Sequence, residues 1–473
     1  MPQRRSHVAP SAEQSELAAA LAALRATIES PTEFSPEAVT EAASVTPDVP
    51  DLDLREVPFV TLDPAGSKDL DQALHLSRAG SGFQVRYAIA DVPAFVRAGG
   101  ALDSEARQRG QTLYLADGNI PLHPEVLSEG RASLLADQER PALVWTFALD
   151  GAGAVTDFRL ERALVRSRAQ LDYVSAQKTL DAGDDGPLLL LGEIGGLRQQ
   201  QEQQRGGASL NLPDEEVVQR EDGTYDIERC HPLPIEEWNA QLSLMTGMAA
   251  AELMVDAKVG VLRTMPQPDE QAFTRFRRQT EALGRPWTKG EYGQYLRELD
   301  KADPMTLPVL EAAASLFRGA GYVTFDGAVP TGDLEQAAIG APYAHATAPL
   351  RRLVDRWSLA ICLAVSQGEP APEWARESLD ELPDLMQQSG QRASQLNADT
   401  LNTVEAALLH PLVGTRVDAT VIELRGEDRA AVQIAEPAVT ASAPVPVGTA
   451  PGETVALTLE RVDVAKHEIE FAA

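Results

Sequence analysis

Between Thr61 and Leu74 the chain holds three carboxylates, Asp63, Asp69 and Asp71, within nine residues, and apolar runs flank them on both sides. Val57-Pro58-Phe59-Val60-Thr61-Leu62 reads as a buried strand, and Ala73-Leu74-His75-Leu76 as the next one. Pro64 and Gly66 give the connection a sharp turn. A fold that buries both runs therefore leaves a cluster of acids on the connection between two strands. Each carboxylate raises the cost of ionising its neighbour, and a bound cation removes that cost. Mg²⁺ is commonly held by one or two carboxylates plus water and substrate phosphate. On spacing alone three readings stay open. One is a metal site for phosphodiester chemistry. The second is an acidic surface loop. The third, a calcium loop, fits poorly because its glycine is missing.

Charge narrows the choice of partners. The 473 residues carry a formal net charge of −30, so the chain has no global basic surface with which to hold a polyanion. Any nucleic-acid path is a local positive groove within an acidic shell, with Arg351, Arg352 and Arg356 and the group Arg275, Arg277 and Arg278 as candidates. Two cysteines, Cys230 and Cys362, exclude a disulfide framework or a zinc cluster and suit a reducing cytoplasm. No apolar run reaches the length of a membrane span. The apolar Leu17–Leu24 stretch follows Glu13 and Glu16, and Leu17, Leu21, Leu24 and Ile28 share one face, which reads as an amphipathic helix rather than a signal peptide.

The texture divides the chain into three parts, residues 1–55, 56–408 and 409–473. The first reads as a small helical module, of helix-turn-helix type or packed on the body: a helix over 12–29, then a second opened by Ser35-Pro36-Glu37. The second part is mixed. Paired strands flank Asp150-Gly151-Ala152-Gly153, helical periodicity dominates 175–205 and 235–320, and a helix runs from Pro349 to Val365. After Pro411, alternating runs separated by Gly and Pro read as a five-strand OB-fold β-barrel. The fold class is α+β. In that last part the only aromatic ring apart from the His467 imidazole is Phe471, so the usual base-stacking surface is missing.

Three ordered stretches resemble the ribonuclease II/ribonuclease R family. Thr61 to Leu74 is similar to T-I-D-x-x-x-x-x-D-x-D-D-A-L. Ala88-Ile89-Ala90-Asp91-Val92, Leu113-Tyr114-Leu115 and Asn119-Ile120-Pro121-Leu122 resemble the family's V-A-I-A-D and Y-L-P…I-P-M-L-P runs. Tyr343 to Asp355 resembles Y-x-x-x-T-S-P-I-R-K/R-Y-x-D. The resemblance implies a 3′→5′ exoribonuclease that degrades single-stranded RNA processively to nucleoside 5′-monophosphates. It implies Mg²⁺ (Mn²⁺ as substitute) on Asp63, Asp69 and Asp71, Arg351 on the reacting phosphate, and Tyr114 stacked on the terminal base. Arg352 and His345 are further candidates for RNA contact, each with a structural alternative: an acid partner for Arg352 and a packed ring for His345. The expected protein is a cytoplasmic monomer with single-stranded RNA as partner, no nucleotide cofactor and no membrane contact. Three departures stand out. Gln72 replaces the family's fourth acid, where an amide oxygen can still ligate a cation but brings no charge. Ala348 replaces a serine, and Ser209–Pro213 offers only leucines where some relatives have a second aromatic clamp. Gln72, Ala348 and the aromatic-poor OB-fold motivate the rival reading, an RNA-binding protein on the same scaffold.

Overall fold

A computed structural model describes residues 16–28, 30–115, 118–183, 186–207, 214–219, 225–230, 232–300, 306–314, 316–332, 334–426, 428–434, 439–466 and 468–472. The Ser209–Pro213 stretch, Cys230's side chain and His467 lie outside the described residues.

The centre is a six-stranded sheet closed on itself. Its strands are β1 (Leu52–Asp53), β2 (Phe59–Asp63), β3 (Gln72–Ala79), β4 (Gly82–Ala90), β5 (Glu139–Leu149) and β6 (Val155–Asp172). The order is β1-β6-β2-β3-β4-β5, and β5 also pairs with β6, which leaves β1 outside a closed ring. Alternation sends successive side chains to opposite faces. Leu74, Tyr87, Ile89, Leu143, Trp145 and Phe147 join one core cluster, while Ala73, Ala88, Ala90, Ala142 and Val144 join the other. The β5–β6 hairpin turns where the sequence places Asp150-Gly151-Ala152-Gly153, with the Asp150 carboxylate accepting from Ala152 N and Ala154 N, 2.9 Å each.

The helices α1 (Glu16–Ala26), α2 (Pro36–Ser44), α3 (Ala101–Arg109), α4 (Pro187–Gln204), α5 (Pro234–Ala257), α6 (Leu353–Ser366) and α7 (Leu382–Leu409) surround the ring. Ser35 caps α2 as expected, accepting from Ala38 N. The two N-terminal helices do not share a hydrophobic cluster. Leu17 and Leu21 of α1 pack on Val404 of α7, Leu24 packs on Leu113, Leu115 and Ile120, and Ala38 and Ala42 of α2 pack against the ring. The two helices thus lie on separate parts of the body.

Two elements differ from expectation. Val259–Thr264, inside a stretch read as helical, is a strand paired with Gly321–Asp326. Lys258, left-handed at φ 58°, ends α5, and the apolar residues after it find a pairing partner about sixty residues on. Helix α6 starts at Leu353, not Pro349. Arg352 is extended (φ −134°) because its backbone bridges Gln111, so the helix cannot include it.

The last five strands are β7 (Arg416–Leu424), β8 (Arg429–Ile434), β9 (Val439–Pro444), β10 (Thr454–Asp463) and β11 (Glu468–Ala472), in the order β9-β8-β7-β10-β11. This is the expected OB-type sheet, curled into a nearly closed barrel. Phe471 lies in its core with Val421, Val432 and Leu457, so this ring offers no stacking surface.

Candidate active site

The acid-bearing connection between β2 and β3 is held by its own neighbours. Ser67 N bonds Pro64 O at 3.2 Å, and Gly66 takes φ +81°, where a side chain would be strained. Ser133 Oγ accepts from Leu70 N (3.0 Å) and donates to Lys68 O (2.6 Å). Gln170 Nε2 donates to Ser67 O at 2.6 Å, and Ala90 N to Asp71 O at 2.9 Å. With its backbone tied on both flanks, the connection fixes where its carboxylates stand.

Opposite it runs the turn Thr347–Arg352, where Arg351 N and Arg352 N both bond Ala348 O. Gly110–Tyr114 lies alongside this turn through Thr112 N to Arg351 O (3.0 Å) and Leu353 N to Gly110 O (3.0 Å). Three segments far apart in sequence therefore meet, and with them Asp71, Arg351 and Tyr114.

Asp71 is 3 % exposed; its Oδ1 accepts from Leu350 N at 2.8 Å and its Oδ2 lies 3.3 Å from Arg351 Nε. Burial pushes its carboxyl well above the ordinary range; the Arg351 charge opposes this, and Asp69 adds to it. Arg351 is lowered by burial, but Asp71, Tyr114 and Asp69 outweigh that and hold it firmly charged; the Tyr114 side chain is also hydrogen-bonded to it. Asp63 and Asp69 are half-buried. The Asp63 charge, after burial, helps push the Tyr173 phenol up to about 12. Asp69, Asp71, Arg351 and Tyr114 thus form one electrostatic group, and Asp63 and Arg351 both act on the Tyr173 and Tyr87 phenols.

Arg352 and His345 sit differently. Arg352 forks onto Asp355, with Nε and Nη2 each 2.9 Å from a carboxylate oxygen, and Asp355 also accepts from Ala348 N at 2.7 Å. His345 Nδ1 lies 2.8 Å from Tyr322 Oη, and burial with the nearby Arg352 and Arg263 charges keeps the ring neutral. Arg356, the third arginine of the motif, is buried against Asp103 and the rings of Trp357 and Trp374. Of these three arginines, Arg351 alone faces the acids.

Gln72 is bound at both ends of its amide: Nε2 donates to Thr347 O at 2.6 Å, and Oε1 accepts from Tyr87 Oη at 2.5 Å. Tyr87, Ser243, Tyr173 and Asn239 are site neighbours that sequence reasoning missed. Asn239 Nδ2 donates to Tyr173 Oη at 3.0 Å. A signal existed: Asn239, Ser243 and Thr246 stand at helical spacing on one face of α5.

Among the described residues, no three or more His, Cys, Asp and Glu side chains converge into a ready-made cation cage. The acids still fit a cation that completes its shell with water and phosphate. The buried Asp71 carboxyl, driven towards neutrality beside Asp69, is the kind of donor a cation stabilises in ionised form.

The protein is thus a closed sheet bearing an acid loop opposite an arginine turn, followed by an OB-type barrel. The chain belongs to the RNB family: residues 52–362 match the RNB domain, and residues 415–473 match the RNase II-type exonuclease C-terminal S1 domain. This is the family the motifs resembled. It is 25% identical over 404 residues to ribonuclease R of Escherichia coli, covering 79% of this chain and 49% of that protein. It is 28% identical over 325 residues to a probable exosome complex exonuclease RRP44 of Caenorhabditis elegans, covering 65% and 34%. The chain thus spans a third to a half of the length of these curated relatives. Mycoplasma genitalium RNase R superposes with a TM-score of 0.84 at 19% identity, over 95% of this chain and 77% of that one. Yeast Ssd1, described as a pseudonuclease, superposes at 0.66 with 16% identity, over 88% and 52%. These likenesses establish the fold. RNB-family nucleases generally use a divalent metal. Among the described residues, no helix is long and apolar enough to cross a membrane.

Proposed function

We propose that this chain is a metal-dependent 3′→5′ exoribonuclease that hydrolyses single-stranded RNA processively to nucleoside 5′-monophosphates. The observation that carries the reading is Arg351, fixed between Asp71 and Tyr114 at the edge of the acid loop. The Arg351 side chain is still about a third exposed, which leaves it within reach of a phosphate. Tyr114 places a ring beside that phosphate position, where a terminal base stacks. Asp63, Asp69 and Asp71 would hold Mg²⁺ or Mn²⁺, which supplies charge neutralisation and Lewis-acid polarisation of the scissile phosphate. The Leu350 amide and Arg351 keep the Asp71 carboxylate oriented, and the backbone bonds of the connection hold the acids without rearrangement during turnover. Specificity for RNA comes from 2′-hydroxyl contacts along the path. The net charge of −30 supports confinement of that path to a local groove, and we read the protein as cytoplasmic and monomeric.

Gln72 and the fold shared with a pseudonuclease favour a second reading, an RNA-binding chain without turnover. Product analysis separates the two. Incubation with a single-stranded RNA and its DNA counterpart, in Mg²⁺ and then Mn²⁺, is expected to release nucleoside 5′-monophosphates from RNA alone. Equal attack on DNA, or nucleoside 3′-phosphates, contradicts the assignment. No product with either metal, but retention of RNA on the protein, establishes the second reading.

A further inference from the structure

Gln72 stands where the family resemblance places a fourth acid, yet its amide bridges two parts of the protein. The Thr347 carbonyl can only accept, so the nitrogen of Gln72 must face it, and the oxygen must face the Tyr87 hydroxyl. Ser243 Oγ lies 2.9 Å from Tyr87 Oη and 3.4 Å from Gln72 Oε1, which closes the network on α5. Burial keeps Tyr87 a neutral phenol, hence a permanent donor. A carboxylate at this position has no hydrogen to give Thr347 O and sets an anionic oxygen against it. The amide is therefore the side chain that satisfies both partners.

The consequence lies in what this bridge joins. Gln72 is adjacent to Asp71, and Thr347 opens the turn that carries Leu350 and Arg351. The Gln72–Thr347 bond and the Asp71–Leu350 bond (2.8 Å) are two parallel tethers between the acid loop and the arginine turn. We propose that Gln72 is a positioning residue, not a cation ligand: it clamps the Arg351 turn to the acid loop, while the divalent cation is held by Asp63, Asp69 and Asp71 without it. This inference rests on the nuclease reading for the identity of the site, but the tether itself does not.

The test uses two readouts that need no turnover, on the full chain and on Gln72→Ala, Gln72→Glu and Tyr87→Phe. Hydrogen exchange at the amides of Leu350 to Leu353 is expected to quicken by about tenfold in Gln72→Ala and Gln72→Glu, the weight of one or two hydrogen bonds. A smaller change is expected in the near-isosteric Tyr87→Phe. Mn²⁺ binding, followed by electron paramagnetic resonance, is expected to keep its affinity and stoichiometry in Gln72→Ala and Tyr87→Phe. A Mn²⁺ affinity that falls by about tenfold in Gln72→Ala makes Gln72 a ligand and overturns the proposal, by the energy of one lost coordination contact. Exchange at Leu350–Leu353 that stays unchanged in all three variants overturns it equally. If the wild-type chain binds no Mn²⁺, the nuclease reading is what fails, and the exchange data alone decide whether Gln72 is the tether.

Discussion

Two aspartates, both almost fully buried, are expected to answer the same substitution in opposite ways. Asp71 is 3 % exposed and Asp103 2 % exposed, yet their surroundings differ. Burial raises the Asp71 carboxyl and is only partly opposed by Arg351. Burial also opposes ionisation of Asp103, but the Arg356 guanidinium, the Gly99 amide and Arg107 outweigh it and hold that carboxyl below its usual value. Asp71→Asn keeps an oxygen for Leu350 N–H and loses an ion pair to a partly exposed arginine. Weakening a charged hydrogen bond to a neutral one costs about 1 kcal/mol, and the lost pair about 0–1 kcal/mol. Relief of carboxylate burial acts in the opposite direction. The melting temperature should therefore move by no more than about 3 °C. Activity on RNA should fall about 10²–10³-fold, the usual effect of removing one preorganised charge. Asp103→Asn strands Arg356, itself 2 % exposed in its side chain, and should cost about 3–5 kcal/mol and roughly 10 °C. The assay pairs calorimetric melting with initial rates on a labelled RNA. A large melting loss in Asp71→Asn, or unimpaired cleavage by it, refutes the reasoning.

The pH dependence carries the same sign difference. Asp103, depressed in the folded state, contributes stability that is present above its unfolded value near 3.8 and lost as pH falls through the folded value. Melting below about pH 4 should therefore decline more steeply in wild type than in Asp103→Asn. Asp71 has the opposite sign, and its ionised form weakens the fold at neutral pH. Tyr114→Ala should raise KM for RNA about tenfold, from a stacking loss of about 1–3 kcal/mol, whereas Tyr114→Phe retains the ring and should change KM little in the same rate assay. Arg352→Ala leaves the fully buried Asp355 without its fork and should lower the melting temperature far more than Arg351→Ala, which should instead lower the cleavage rate.

Much of the fold could be read from local pattern. The alternation after Pro411 marked the five OB strands, because each has one buried face. Ser35-Pro36-Glu37 marked the start of α2, because capping is local chemistry. Where contacts from afar decide, the pattern misled. Val259–Thr264 is a strand only because Gly321–Asp326 comes to it, and α6 begins late because Gln111 holds Arg352 extended. The site divides along the same line. The motif spacing pointed to Asp63, Asp69, Asp71, Arg351 and Tyr114, and in the structure Asp69, Asp71, Arg351 and Tyr114 act on one another. The alternative of an acid partner for Arg352 is the one the structure shows, on Asp355, but nothing in the sequence hinted that Arg356 is buried on Asp103 or that Gln72 reaches Tyr87 and Thr347. Those partners lie up to 275 residues away in the chain.

The most direct measurement is the fate of a 5′-labelled single-stranded RNA mixed with the purified chain in Mg²⁺, in Mn²⁺ and in chelator. The account predicts a ladder that shortens from the 3′ end to a short limit product with metal, and intact RNA with chelator. Intact RNA in all three, shifted on a native gel by the protein, contradicts it and makes the acid loop and arginine turn part of a binding channel.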